Sequence, residues 1–133
     1  MPNNLFADGF HHVAIRVRDF DASLKFYTEL LGFEIKHLWG EGDSRGVLID
    51  TGRSNYFELF AGGSAEQQPQ GLWFHIALLC SDTEGALERV RSAGIPITVE
   101  TKDVTVKSDP PLPIRVAFFS GPDGESIELF ELR

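Results

Sequence analysis

The segment from His12 to Ile35, HVAIRVRDFDASLKFYTELLGFEI, returns in altered form from His75 to Ile97 as HIALLCSDTEGALERVRSAGIPI. In register, His12 meets His75, Asp19 meets Asp82 and Leu24 meets Leu87; after one single-residue gap, Gly32 meets Gly94 and Ile35 meets Ile97. Each copy closes on a similar phrase, FELF at Phe57 to Phe60 and IELF at Ile127 to Phe130. A chain written twice in this way is expected to fold as two like modules. Their bounds are about 10–61 and 73–132, inside a single domain spanning 1–133.

Each copy opens with a strand of two distinct faces. Val13, Ile15 and Val17 lie on one side, and His12, Ala14 and Arg16 on the other. The apolar side calls for a helix, and Phe20, Leu24, Tyr27 and Leu31 recur at helical spacing directly after it. Asp19 or Asp21 can cap its start, and Gly32 can end it. Phe33 to Trp39, Val47 to Thr51 and Asn55 to Ala61 then read as three antiparallel strands joined by turns at Gly40 to Ser44 and Gly52 to Ser54. Residues 62–71, GGSAEQQPQG, carry a linker composition.

The second copy repeats the logic. Ile76, Leu78 and Cys80 face a helix that Ser81 caps, with Glu84 completing a capping box. Leu87 and Val90 carry its buried stripe, and Gly94 ends it. Strands are expected at Pro96 to Glu100, Ile114 to Ser120 and Ser126 to Leu132. Thr101 to Pro113, with its three prolines, reads as an irregular loop, and Gly121 to Gly124 as a tight turn. The fold class is therefore α+β, two βαβββ modules in tandem.

Composition narrows the function. A net charge of −8 lacks the basic footprint that nucleic-acid binding needs. A single cysteine, Cys80, allows no internal disulfide. No apolar run reaches a membrane span, and MPNNLFADG has neither a basic nor an apolar signal-peptide region. A cytoplasmic protein acting on a small molecule is the simplest expectation.

Strand parity places His12 and Glu58 on the face away from the helix in the first copy, and His75 and Glu128 in the second. Taken singly, a strand histidine is more often structural than a ligand, and a glutamate between hydrophobics is usually a solvent face. Recurrence at matching positions joins the four into one candidate set. Two imidazoles and two carboxylates suit a borderline divalent cation such as Zn, Ni, Co, Mn or Fe. His11 shares parity with Val13, and His37 reads as surface. Cys80 reads as a small core hydrophobe.

HHVAIRVRD, FELF, FHIALLCSD and GPDGESIELFE resemble the vicinal oxygen chelate superfamily of glyoxalases, bleomycin resistance proteins and extradiol dioxygenases. Within it the likeness is to the glyoxalase I (lactoylglutathione lyase) branch, over roughly residues 8–132. The resemblance implies paired modules curled around one divalent metal, Ni, Zn or Co before Mn or Fe, held by His12, Glu58, His75 and Glu128. It implies a homodimer whose metal sites can draw on both chains. It also implies conversion of a 2-oxoaldehyde–thiol hemithioacetal to a 2-hydroxyacyl thioester through an enediolate, with Glu128 and Glu58 moving the proton and glutathione or another thiol as cosubstrate.

Arg16 stands where that branch directs an arginine toward the glutathione carboxylate, although a surface salt bridge would also suit it. Gly62 stands where the branch usually carries an asparagine, a departure that bears on which thiol is used. Glu58, flanked by Tyr56 and Phe60, is expected to be the drier glutamate, and Glu128 the one a mobile Pro-rich loop would cover. An acyl-CoA epimerase is a related reading, though its members usually carry Gln where Glu58 stands. An extradiol dioxygenase wants only one carboxylate beside two histidines. A metal-free drug-binding protein of the same fold needs no convergent ligands.

Overall fold

The computed structural model describes residues 10–64, 66 and 73–133. The first nine residues, and all of the 62–71 linker except 62–64 and 66, lie outside them. Two compact units divide the chain, Met1–Ala65 and Glu66–Arg133.

In the first unit β1 (His12–Arg16) leads through Asp19, whose carboxylate accepts the Ala22 N–H at 3.1 Å, into α1 (Phe20–Lys25). The helix then widens to a π turn over Phe26–Leu30. Continuous α-helical spacing to Leu31 was the expectation. Instead the Thr28 hydroxyl bonds the Leu24 carbonyl at 2.7 Å, competing for an acceptor of the α ladder, and the Leu31 N–H reaches back to Phe26 at 3.1 Å. Strands β2 (Glu34–Trp39), β3 (Gly46–Gly52) and β4 (Asn55–Phe60) complete a sheet of order β1-β4-β3-β2. β1 runs parallel to β4, as a helical crossover demands, and the other pairs are antiparallel.

The core lies between α1 and one face of this sheet. Phe20, Tyr27, Val47, Ile49, Phe57 and Leu59 are all buried there, with the Tyr27 and Phe57 rings edge to face at 5.0 Å. From β1 into the residue that follows it, burial deepens from Val13, 41% exposed, to Val17, 0% exposed. The apolar face predicted for this strand is covered mainly at its far end.

The second unit repeats the topology. β5 (Ile76–Leu79), α2 (Thr83–Ser92), β6 (Ile97–Val106), β7 (Leu112–Ser120) and β8 (Ser126–Leu132) form a sheet of order β5-β8-β7-β6. Leu87 and Val90 turn inward from α2 as their spacing predicted. Its cap is Asp82, not Ser81: the Asp82 carboxylate accepts the Gly85 N–H at 3.0 Å. This is the same offset that Asp19 uses in the first unit, so the repeat register identifies the cap better than the Ser-Asp-Thr-Glu pattern does.

The irregular loop expected at Thr101 to Pro113 is mostly strand. β6 runs on to Val106 and pairs with β7 from Leu112, so that Thr105 faces Pro113 and Val106 faces Leu112. β-branched residues at Thr101, Val104, Thr105 and Val106 favour extension, and Asp103 meets Arg115 across the strands through two hydrogen bonds of 2.7 and 3.1 Å. The Arg115 hydrogen bond holds the Asp103 carboxyl below its usual range. Only residues 107–111 remain as the hairpin tip. The Gly121–Gly124 turn forms as predicted, with Gly124 at φ +83° and its N–H bonded to the Gly121 carbonyl at 3.0 Å.

One buried carboxylate separates the units chemically. Glu131, on the β8 face toward α2, accepts the Thr83 N–H at 2.9 Å and pairs with Arg133 at 2.6 Å. The Thr83 backbone bond, then Arg133, holds its carboxyl below the usual range. A negative charge at a helix N-terminus is favourable. Because the folded-state value is lowered, this stabilisation is present above the ordinary glutamate pKa and fades as pH falls through the depressed value. Repeat register puts Ala61, which has no carboxylate, at the matching place in the first unit, where the Asp19 side chain caps the helix.

Candidate active site

Parity along β1 and β4 sets the first half of the site. In this parallel pair Ala14 lies opposite Glu58, His12 opposite Tyr56 and Arg16 opposite Phe60, all on the face away from α1. His12 Nε2 and Glu58 Oε1 stand 3.4 Å apart. The second unit matches it: Ala77 lies opposite Glu128, and His75 Nε2 stands 3.0 Å from Glu128 Oε1. Each unit thus brings together the histidine and glutamate that the repeat singled out. Among the described residues, no group of three or more His, Cys, Asp or Glu side chains that could hold a metal ion is found.

Whether such a half-set suits a cation is a question of bite. Two donors bound to one ion at about 2.0–2.2 Å stand about 2.8–3.6 Å apart at octahedral to tetrahedral angles. Both observed separations fall there; 3.4 Å is long for an N–H···O hydrogen bond, whereas the 3.0 Å of His75 and Glu128 is an ordinary one. An imidazole nitrogen and a carboxylate oxygen are also the donor types for a borderline divalent metal. Each His–Glu pair thus fits two positions in the shell of such a cation.

Their surroundings differ, and they reverse an expectation. Glu128 is the drier glutamate, its side chain 10% exposed against 17% for Glu58. Phe118 lies directly opposite Glu128 on β7, and its ring meets the His75 ring edge to face at 5.5 Å. At the matching place on β3, Leu48 lies opposite Glu58. Tyr56 offers less cover than its parity suggested, because its ring stacks at 4.8 Å on His11.

His11 is the neighbour that sequence reasoning passed over. Its Nδ1 lies 3.0 Å from His12 Nδ1, so one ring donates and the other accepts, leaving His12 Nε2 on the Glu58 side. A partner on the far nitrogen of a ligand-type histidine fixes its tautomer and orientation. The HH pair at the start of β1 was the available signal.

Arg16 makes no ion pair among the described residues, so the surface salt bridge weighed for it is absent there. Its Nη1 donates to the Ala61 carbonyl at 2.9 Å and its Cζ lies 5.8 Å from the centroid of the Phe60 ring. Cys80 is half-buried at the end of β5, with its N–H bonded to the Phe130 carbonyl at 2.9 Å. Among the described residues, no helix is long and apolar enough to cross a membrane.

Known proteins share this design. The uncharacterized protein YwbC of Bacillus subtilis is 33% identical over 124 residues, covering 90% of this chain and 94% of that protein. The lactoylglutathione lyase of Salmonella typhimurium is 30% identical over 128 residues, covering 92% and 91%. The trypanothione-dependent glyoxalase I of Leishmania major superposes with a TM-score of 0.72 at 27% identity, covering 94% of this chain and 87% of that one. The family described as the Glyoxalase/Bleomycin resistance protein/Dioxygenase superfamily matches residues 9–129. Because that match runs from just before β1 into β8 and so takes in both modules, the chain belongs to the Glyoxalase/Bleomycin resistance protein/Dioxygenase superfamily.

Proposed function

We propose that the protein is a metal-dependent lyase of glyoxalase I type, which turns a 2-oxoaldehyde–thiol hemithioacetal into a 2-hydroxyacyl thioester. The observation that carries this reading is the matched pair of half-sets, His12 with Glu58 and His75 with Glu128, each at cation-sharing distance. His12, Glu58, His75 and Glu128 would together hold one divalent ion, with Ni, Zn and Co as first choices and Mn or Fe as others. When bound, that ion supplies the Lewis acidity that a C–H beside a carbonyl needs before a carboxylate can remove its proton.

The chain's own groups do the rest. Glu128 takes the proton from the carbon bearing the hydroxyl and sulfur, and it is returned to the neighbouring carbon, by Glu128 or by Glu58, while the hydroxyl proton passes from the oxygen of the first carbon to that of the second. A carboxylate in a dry setting is the better base, and Phe118 and His75 cover Glu128. Arg16, its guanidinium steadied on Phe60 and Ala61, would pair with an anionic group of the thiol cosubstrate, glutathione or another. Two glutamates in the set favour this chemistry over an extradiol dioxygenase, whose iron uses one carboxylate with two histidines. The deciding experiment loads the protein with each metal in turn and assays it with the methylglyoxal–glutathione hemithioacetal. Turnover in at least one metal form is expected; none in any form, with glutathione or a second thiol, would remove the reading.

A homodimer is proposed alongside. Each sheet leaves two strand edges, β1 and β2 in one unit and β5 and β6 in the other. Trp73, Phe74 and Leu79 are 81%, 69% and 56% exposed, a large apolar display for a lone chain. Sedimentation at micromolar concentration should show a dimer; monomer alone across a dilution series would count against it.

A further inference from the structure

The outer strand of the first unit carries a phase change. Ile35 lies opposite Ile49, which is buried under α1, and simple alternation would leave His37 and Trp39 on that same helix face. The register shifts between Ile35 and His37, with Lys36 as the extra residue, so that His37 lies opposite Leu48 and Trp39 opposite Gly46. Leu48 and Gly46 in turn lie opposite Glu58 and Phe60. The bulge therefore moves Trp39 onto the face that carries His12 and Glu58.

Gly46 receives the indole there: a Cβ at this position would overlap the Trp39 ring. Trp39 meets Phe60 edge to face at 6.0 Å, and Arg16 lies over Phe60 at 5.8 Å. The result is an aromatic shelf with a cationic rim. It begins two residues along β4 from Glu58, about 7 Å. Trp39 keeps 38% of its surface exposed, so a ligand can reach it. The same face is acidic at its other end, where Asp50 lies opposite Tyr56 and Glu34 opposite Asp50. A ligand with a carboxyl oxygen and an aryl group matches the shelf end and is repelled from the other.

We propose that Trp39, seated over Gly46, is a specificity-determining residue whose shelf takes the aryl group of an aryl-substituted 2-oxo or 2-hydroxy carbonyl substrate; this deepens the lyase reading and rests on it. A phenyl ring reaches farther from the reacting carbons than a methyl group does, so the aryl substituent is the one that can span toward the shelf.

The test reads binding without turnover. Trp39 and Trp73 are the two tryptophans, so Trp73→Phe leaves Trp39 as the only indole reporter. The metal-loaded Trp73→Phe protein is titrated with mandelate and with lactate, which share the 2-hydroxycarboxylate and differ in phenyl against methyl. Mandelate should quench Trp39 saturably at a concentration at least about tenfold below lactate, the least that burying a ring provides. Gly46→Ala, which forces the indole off β3, should abolish that preference. Phe60→Leu, a milder change, should reduce it severalfold, and it decides the matter if Gly46→Ala does not fold. Equal affinities, or a preference that survives the variant, overturn the shelf. Lack of turnover with every hemithioacetal beside an intact mandelate preference would instead overturn the lyase reading.

Discussion

His75→Ala is expected to strip most of the bound divalent metal from the protein while leaving its circular-dichroism spectrum unchanged. His75 precedes β5, is partly exposed, and its ring meets only the exposed Phe74 ring at 5.3 Å and the edge of Phe118 at 5.5 Å among the described aromatic residues. Truncating such a residue changes stability little, whereas emptying a core position such as Leu59 or Phe119 would cost about 2–5 kcal/mol. For the metal the balance is opposite. Removing a mere outer partner of a ligand already weakens metal affinity about 10–100-fold, and losing a ligand should exceed that. Competition titration against a chelator, with elemental analysis of the purified variant, measures it. Wild-type affinity in a well-folded His75→Ala protein would remove His75 from the site.

Glu128→Gln is expected to keep the metal and lose turnover by at least about 10²-fold, the contribution typical of a general acid–base group. Gln retains a neutral oxygen donor but cannot take a proton. Glu58→Gln should lose less, because Glu128 still moves the proton. The expectation rests on burial, since Glu128 is the less exposed of the two; the segment expected to act as a lid is largely the β6–β7 hairpin. Assays of both variants at matched metal content decide the assignment. An inactive Glu58→Gln beside an active Glu128→Gln would exchange the two roles.

The sequence by itself determined the architecture. Two copies of one pattern, each with a two-faced strand, an amphipathic helix ended by glycine and a closing strand with glutamate between hydrophobics, admit few folds. Strand alternation sufficed to put His12 on the face of Glu58, because β1 and β4 pair without slippage, and to put His75, just ahead of the regular β5–β8 pairing, beside Glu128. Local periodicity is legible wherever the ladder is regular.

Tertiary structure decided what depends on register and on neighbours distant in sequence. The extra residue at Lys36 reverses the phase of β2, and composition gives no sign of it, so Trp39 and His37 emerge on a face that alternation denies them. The prolines near residue 110 read as a loop, yet pairing with β7 and the Asp103–Arg115 bridge carry β6 through to Val106. Which glutamate is drier was likewise settled across the sheet, by Phe118 opposite Glu128 and Leu48 opposite Glu58. A residue's own flanks set the direction of its side chain; the strand beside it sets how much water that side chain meets.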